Sequence, residues 1–260
     1  MPARAADPTK AARILVEQAN RVSTALAAVP DTAFALPTDL AGWSVAELVG
    51  HLSQVLRSVV TAMSTPSTGR PLPLSDYLAE LAPAAEQIRD REVAASAGRG
   101  PQQLRSAYDD LRGEVARRLG PPVTDATVAA PRGPMRLGQF LTTRVLELVV
   151  HGDDLGRATG IDVVPVRRAL GVSCRLLADV LAERAPGRSV EVRIPPYAAV
   201  QCIAGPRHTR GNPPSVVECE PMTWIRLGTG RTTWADAVVA GRVVASGERS
   251  DLTDSFPLLR

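Results

Sequence analysis

Apolar positions recur at helical spacing through roughly the first two thirds of the chain and give way to short alternating runs in the last third. Asp7 followed by Pro8 supplies a helix start, and Ile14, Leu15, Val22 and Leu26 continue at helical spacing, predicting a first helix to about Ala28. Pro30 to Gly42 is a connector. Ser44 with Glu47 three residues later forms a capping box for a second helix to about Met63. A third helix is predicted over Ser75 to Ala95 with a kink or break at Pro83, and a fourth over Pro101 to Leu119, closed by Gly120, Pro121 and Pro122. Thr124 to Met135 reads as irregular or briefly extended. From Leu137 the positions Leu137, Phe140, Leu141, Leu148 and Val149 restore helical period as far as Gly160, and another helix follows over Pro165 to Arg184.

Beyond the Pro186-Gly187 break the texture changes. Val190, Val192 and Ile194 alternate with charged residues, and Val200 to Ile203, Val216 to Cys219 and Val243 to Ala245 are further short runs with strand character. Two compact helical pieces, around Pro221 to Leu227 and Thr233 to Ala240, separate the last of these. The expected fold class is α+β: a helical bundle over residues 1–185, then a smaller α+β domain over residues 186–260.

Composition narrows the function classes. The 260 residues are 45% hydrophobic, enough for a sizeable core, and the formal net charge is +3. Lys10 is the sole lysine. Acidic residues nearly balance the arginines, and no arginine cluster is interleaved with aromatics, which argues against a nucleic-acid partner. Cys174, Cys202 and Cys219 are odd in number, widely spaced and without a C-x-x-C pair, as expected of reduced, buried thiols inside a cell. No apolar run approaches the ~18 residues of a membrane span, and Met1 to Lys10 lacks a signal-peptide core, so no stable membrane insertion and a cytoplasmic location are expected.

The chain has only three histidines. His51 falls on the second predicted helix, and His151 lies four residues after Glu147 on another. At about 100° per residue, Glu147 and His151 sit about 40° apart around the axis and one turn apart along it, so both side chains can reach one point. If His51 faces that point, two imidazoles and a carboxylate suit Zn²⁺ or another divalent ion with one position left open. Arg144 and Asp154 share the same face of the helix. Asp154 could orient an imidazole nitrogen, and Arg144 could pair with either acid or neutralise a carboxylate on a bound molecule. The spacing equally describes a solvated helix face laced with Arg–Glu ion pairs, and His51 alone equally describes a hydrogen-bonded interior histidine. Glu47, four residues before His51, is explained first by the capping box and second as a fourth ligand or outer partner of the site. His208, in the Gly205 to Pro214 loop, is expected to be exposed.

The segment from Ala41 through Trp43, Glu47 and His51 to Leu52 resembles the first metal-ligand segment of the mycothiol-dependent maleylpyruvate isomerase family, whose helical domain is DinB-like. The segment from Arg144 through Glu147 and His151 to Leu155 is similar to that family's Glu and His ligand helix. The resemblance implies zinc held by His51, Glu147 and His151. The last third resembles the sterol-carrier-protein-like domain often appended in the family, through Thr223 to Arg231, Trp234 to Ala237 and Gly241 to Gly247. In isomerase members an arginine of this domain reaches the active site, and Arg231 of the Gly-Arg motif matches it as a catalytic and thiol- or substrate-binding residue. The bland reading of Arg231 is a loop arginine capping a helix end. Trp224 and Trp234 read as core.

The resemblance implies a low-molecular-weight thiol, mycothiol, as cosubstrate and a small electrophile as substrate. A metal would stabilise its thiolate, which adds to a conjugated cis double bond and leaves after rotation in an isomerase, or stays attached in a transferase. The broad resemblance favours general thiol transfer slightly over isomerisation. The competing class is a carrier of lipid or another apolar ligand, which calls for a dry apolar tunnel in the C-terminal domain. A zinc-sensing or protein-binding module has no positive sequence feature.

Overall fold

The computed structural model describes residues 6–80, 83–205 and 215–259. Two compact units meet at the Ala169–Leu170 junction. The first is helical. Helix α1 (Pro8–Ala28) starts as its sequence requires, with Asp7 Oδ1 accepting from the backbone N–H groups of Thr9 and Lys10 at 3.0 and 3.1 Å. Helix α2 (Val45–Ser64) starts at the capping box, where Glu47 Oε2 accepts from the Ser44 backbone N–H at 2.7 Å and also from the Ser44 hydroxyl.

The expected third helix is two helices, α3 (Leu74–Ala79) and α4 (Ala85–Ser96). Pro83 cannot donate to a preceding carbonyl and its ring crowds the turn before it, so of the expected kink or break the structure has the break. Helix α5 (Pro101–Leu119) matches its expected bounds. The segment expected to be irregular or briefly extended is extended and forms a hairpin, β1 (Thr127–Ala130) against β2 (Gly133–Arg136), with Val128 opposite Met135 and both buried. Helix α6 (Leu137–Thr159) follows, with Asp125 Oδ1 accepting from Gly138 N–H at 2.8 Å. It ends at Gly160, whose φ of +72° is the left-handed conformation that stops a helix cleanly.

Helices α1, α6, α2 and α5 form a ring in which each packs on two neighbours, and α4 lies against α2. Leu15, Leu48, Leu52, Leu56, Phe140, Leu141 and Leu148 are fully buried. Each such side chain contributes about 1.5–3 kcal/mol on transfer out of water. Tyr108 of α5 is also buried, its hydroxyl donating to the Ala19 carbonyl at 3.1 Å.

The second unit begins earlier than the change of sequence texture at Pro186 suggests. Helix α7 (Arg167–Arg184) lies almost wholly within it, not in the bundle. The Trp224 indole N–H donates to the Cys174 carbonyl at 3.2 Å, Arg184 donates to the Leu258 carbonyl, and Gly228 packs against Leu177. The seat of α7 is therefore set by its apolar face, and the Pro-Gly break is only the turn into the sheet. The sheet has order β4-β3-β5-β6, with β3 (Val190–Ile194) antiparallel to β4 (Ala198–Cys202) and parallel to β5 (Ser215–Cys219), and β5 antiparallel to β6 (Val243–Ser246). Helices α8 (Pro221–Gly228) and α9 (Trp234–Val239) complete the unit. Trp224 and Trp234 are core residues, as expected, meeting Phe256 edge-on and stacked. The expected strands and helical pieces are present within one or two residues of their sequence bounds; His208 lies outside the described residues.

Candidate metal centre

Helix α2 presents His51 and α6 presents Glu147 and His151 to one point. Glu147 Oε2 lies 3.2 Å from His151 Nε2 and 3.4 Å from His51 Nε2, and one ligand atom from each residue falls within 4.8 Å of the other two. A tetrahedral ion with bonds of about 2.0–2.1 Å separates its ligand atoms by about 3.3 Å, so the two measured edges already have the length such an ion imposes. The imidazole rings stand edge to face, 4.7 Å between centroids.

The surroundings fix which nitrogen faces the point. His151 Nδ1 is 2.9 Å from Asp154 Oδ2, and Asp154, fully buried, accepts from Arg157 on its other oxygen at 2.8 Å. A carboxylate only accepts, so Nδ1 of His151 carries the proton and Nε2 offers a lone pair. That lone pair and the Glu147 oxygen repel unless positive charge lies between them. Both pKa shifts express this. Burial pushes Glu147 up, but the Arg144 charge and the hydrogen bonds from His151 and His51 outweigh it and hold the carboxyl well below its usual range. Burial pushes His151 down, but its hydrogen bonds to Asp154 and Glu147 raise it further than burial lowers it. The donor set therefore fits a divalent cation as well as a proton, and the residues present suit zinc.

Arg144 is buried, its NH2 3.6 Å from Glu147 Oε1, its Nε donating to Thr143 Oγ1 at 3.2 Å and its guanidinium 5.1 Å from the Phe140 ring centroid. It holds Glu147 ionised from behind. Glu47 is committed to the α2 cap by its bonds to Ser44, so the outer-partner reading gives way to the capping reading: an oxygen already accepting from the cap is held at the helix start. Arg231 belongs to the C-terminal unit, on the turn after α8, where its backbone N–H donates to the Arg226 carbonyl at 2.7 Å and its guanidinium to the Thr229 carbonyl at 2.8 Å.

Sequence reasoning missed three neighbours. Trp43 meets His51 edge-on at 5.3 Å, Arg157 supports Asp154, and Glu92 of α4 is fully buried with Oε1 3.9 Å from His51 Nδ1. The i, i+3 spacing from Asp154 signals Arg157. Nothing in the charged run of α4 distinguishes Glu92 from its exposed neighbours.

Residues 15–156, more than half of the chain, match the model of the mycothiol maleylpyruvate isomerase N-terminal domain. The chain belongs to the mycothiol maleylpyruvate isomerase family. Residues 166–258 match the bacterial SCP ortholog model, in agreement with the seat of α7 in the second unit. No curated protein aligns significantly with the chain. A crystal structure of the mycothiol-dependent maleylpyruvate isomerase superposes with a TM-score of 0.62, covering 92% of each chain at 18% identity. A histidine-to-alanine mutant of that isomerase gives the same score and coverage at 17% identity. Both likenesses show a shared fold. Membership places this chain in a family of mycothiol-dependent enzymes. Among the described residues no helix is long and apolar enough to cross a membrane.

Proposed function

We propose that this chain is a mycothiol-linked thiol enzyme that holds a divalent metal, zinc for preference, on His51, Glu147 and His151 and acts on a small electrophile. The observation that carries the reading is the convergence of two imidazole Nε2 atoms on one carboxylate oxygen at 3.2 and 3.4 Å. When bound, the ion favours thiolate over thiol and so supplies a nucleophile at neutral pH. Asp154 keeps the proton of His151 on Nδ1, Arg144 keeps Glu147 ionised, and the buried walls around His51 limit competition from water. Arg231 is assigned to a carboxylate on thiol or substrate on the strength of its Gly-Arg motif. Thiol transfer and cis–trans isomerisation share the same first step, and the broad family match favours transfer slightly.

A pure carrier is disfavoured by membership in an enzyme family. The first test is metal analysis of protein purified without chelator, beside a His51→Ala, His151→Ala double variant. Stoichiometric zinc in the first and none in the second is expected; near-zero metal in the first overturns the reading. The second test incubates zinc-loaded protein with mycothiol and a panel of electrophiles, following thiol loss and isomer formation separately. Activity without any thiol contradicts the proposed nucleophile.

A further inference from the structure

We propose that Glu92 is a positioning residue of the metal site, holding the Nδ1 proton of His51 so that Nε2 is presented unprotonated to the point shared with Glu147 and His151. The inference rests on the metal reading above. Glu92 is fully buried on α4, and its Oε1 accepts from Arg91 Nε and NH2 at 3.0 and 2.7 Å. The Arg91 side chain is 58% exposed and any surface carboxylate would serve it, so the arginine does not account for the burial of Glu92. His51 does.

Two buried atoms at this contact, Glu92 Oε2 and His51 Nδ1, have no hydrogen-bond partner among the described residues. A buried polar atom left without a partner loses its hydration with nothing in return. The 3.9 Å between Glu92 Oε1 and Nδ1 is short enough that a small rotation of the carboxylate turns it into an N–H···O bond and removes an orphan. The Ser96 hydroxyl, one turn further along α4, is likewise buried and unpartnered. Gly50, beside His51, permits the close approach of α4, since a Cβ there would come within 2.3 Å of Ser96 Oγ. The result parallels the other half of the site. Each imidazole has a buried acid at Nδ1, and each acid has its own arginine, Arg157 behind Asp154 and Arg91 behind Glu92. Metal-bound histidines habitually donate their second N–H in this way.

The test compares full-length wild type with Glu92→Ala and with Glu92→Met, which keeps the volume but removes the acceptor. Zinc affinity is measured by competition with a chromophoric chelator, and the ring-nitrogen shifts of His51 by long-range ¹H–¹⁵N NMR on metal-free protein that also carries Glu147→Ala, so that no carboxylate competes for the ring proton at Nε2. Zinc binding about ten- to a hundredfold weaker is expected in both variants. Nδ1 of His51 should read as the protonated nitrogen with Glu92 present and lose that character in the Glu92 variants. An unchanged His51 nitrogen pattern in whichever variant folds overturns the proposal, as does zinc affinity within about twofold of wild type. If wild type takes up no zinc, the metal reading falls while the nitrogen shifts still decide the role of Glu92.

Discussion

Replacing Asp154 with asparagine is expected to weaken metal binding more than replacing it with alanine, the reverse of what side-chain similarity suggests. Asp154 accepts on both oxygens, from His151 Nδ1 at 2.9 Å and from Arg157 at 2.8 Å. Asparagine has one acceptor and one donor. Arg157 can only donate, so it claims the amide oxygen and leaves the NH₂ facing Nδ1. Nδ1 must then accept, which moves the ring proton to Nε2, the atom that faces Glu147. Alanine merely removes the partner and leaves the tautomer free, at a cost of about ten- to a hundredfold in affinity. Asparagine adds the hydrogen bond that must be broken to restore the ligating tautomer, about 0.5–1.5 kcal/mol, or roughly two- to tenfold more. Folding should survive in both variants, because Arg157 keeps Asp39 and Asp153 as partners. Chelator competition at pH 7 measures the order, with far-UV circular dichroism as the folding control. An Asp154→Asn protein that binds zinc as tightly as Asp154→Ala, or more tightly, would refute the tautomer argument.

The three thiols are free, and burial pushes Cys174 and Cys219 up to about 12 and Cys202 to about 11 from an ordinary 9.0. Ellman's reagent at pH 8 should therefore find almost no reactive thiol in native protein and three in guanidinium. Because the raised values belong to the folded state, their stabilisation is complete below pH 9 and is lost as the pH climbs toward 11–12, so denaturant midpoints of the C-terminal unit should fall above pH 9. Phe140→Ala should cost about 3–5 kcal/mol in urea unfolding, since Phe140 is fully buried, meets Tyr77 edge-on at 6.4 Å and lies under Arg144. Gly160→Ala forces an L side chain into φ +72° at the end of α6 and should cost about 1–2 kcal/mol, lowering the melting temperature by a few degrees. A melting temperature unchanged by that substitution would contradict the cap.

Features written in local sequence were legible. The Ser44/Glu47 box, the four-residue step from Glu147 to His151 and the Asp154 one turn further on are each fixed by helix geometry, which needs no knowledge of the rest of the chain. Where helix packing decides, sequence was silent. Glu92 looks like one more charge in a polar helix until α4 is laid against α2. Helix α7 carries an apolar face that would suit either unit, and only the indole of Trp224 and the carbonyl of Leu258 show which one takes it. The extension of β1 and β2 was legible but their pairing was not, because the strands are four residues each, with prolines at 131 and 134 interrupting the alternation.

The site combines one rigid spacing with one adjustable one. Glu147 and His151 ride on the same turn of α6, so their separation is as stiff as a helix, while the distance from either to His51 is a crossing distance between α6 and α2, maintained by leucines and valines that carry no charge. On the proposed metal reading, affinity for the ion is thus a ruler laid across the bundle. A methyl group lost between those two helices, far from any polar atom, should register as faster ion release before it registers as a change in melting.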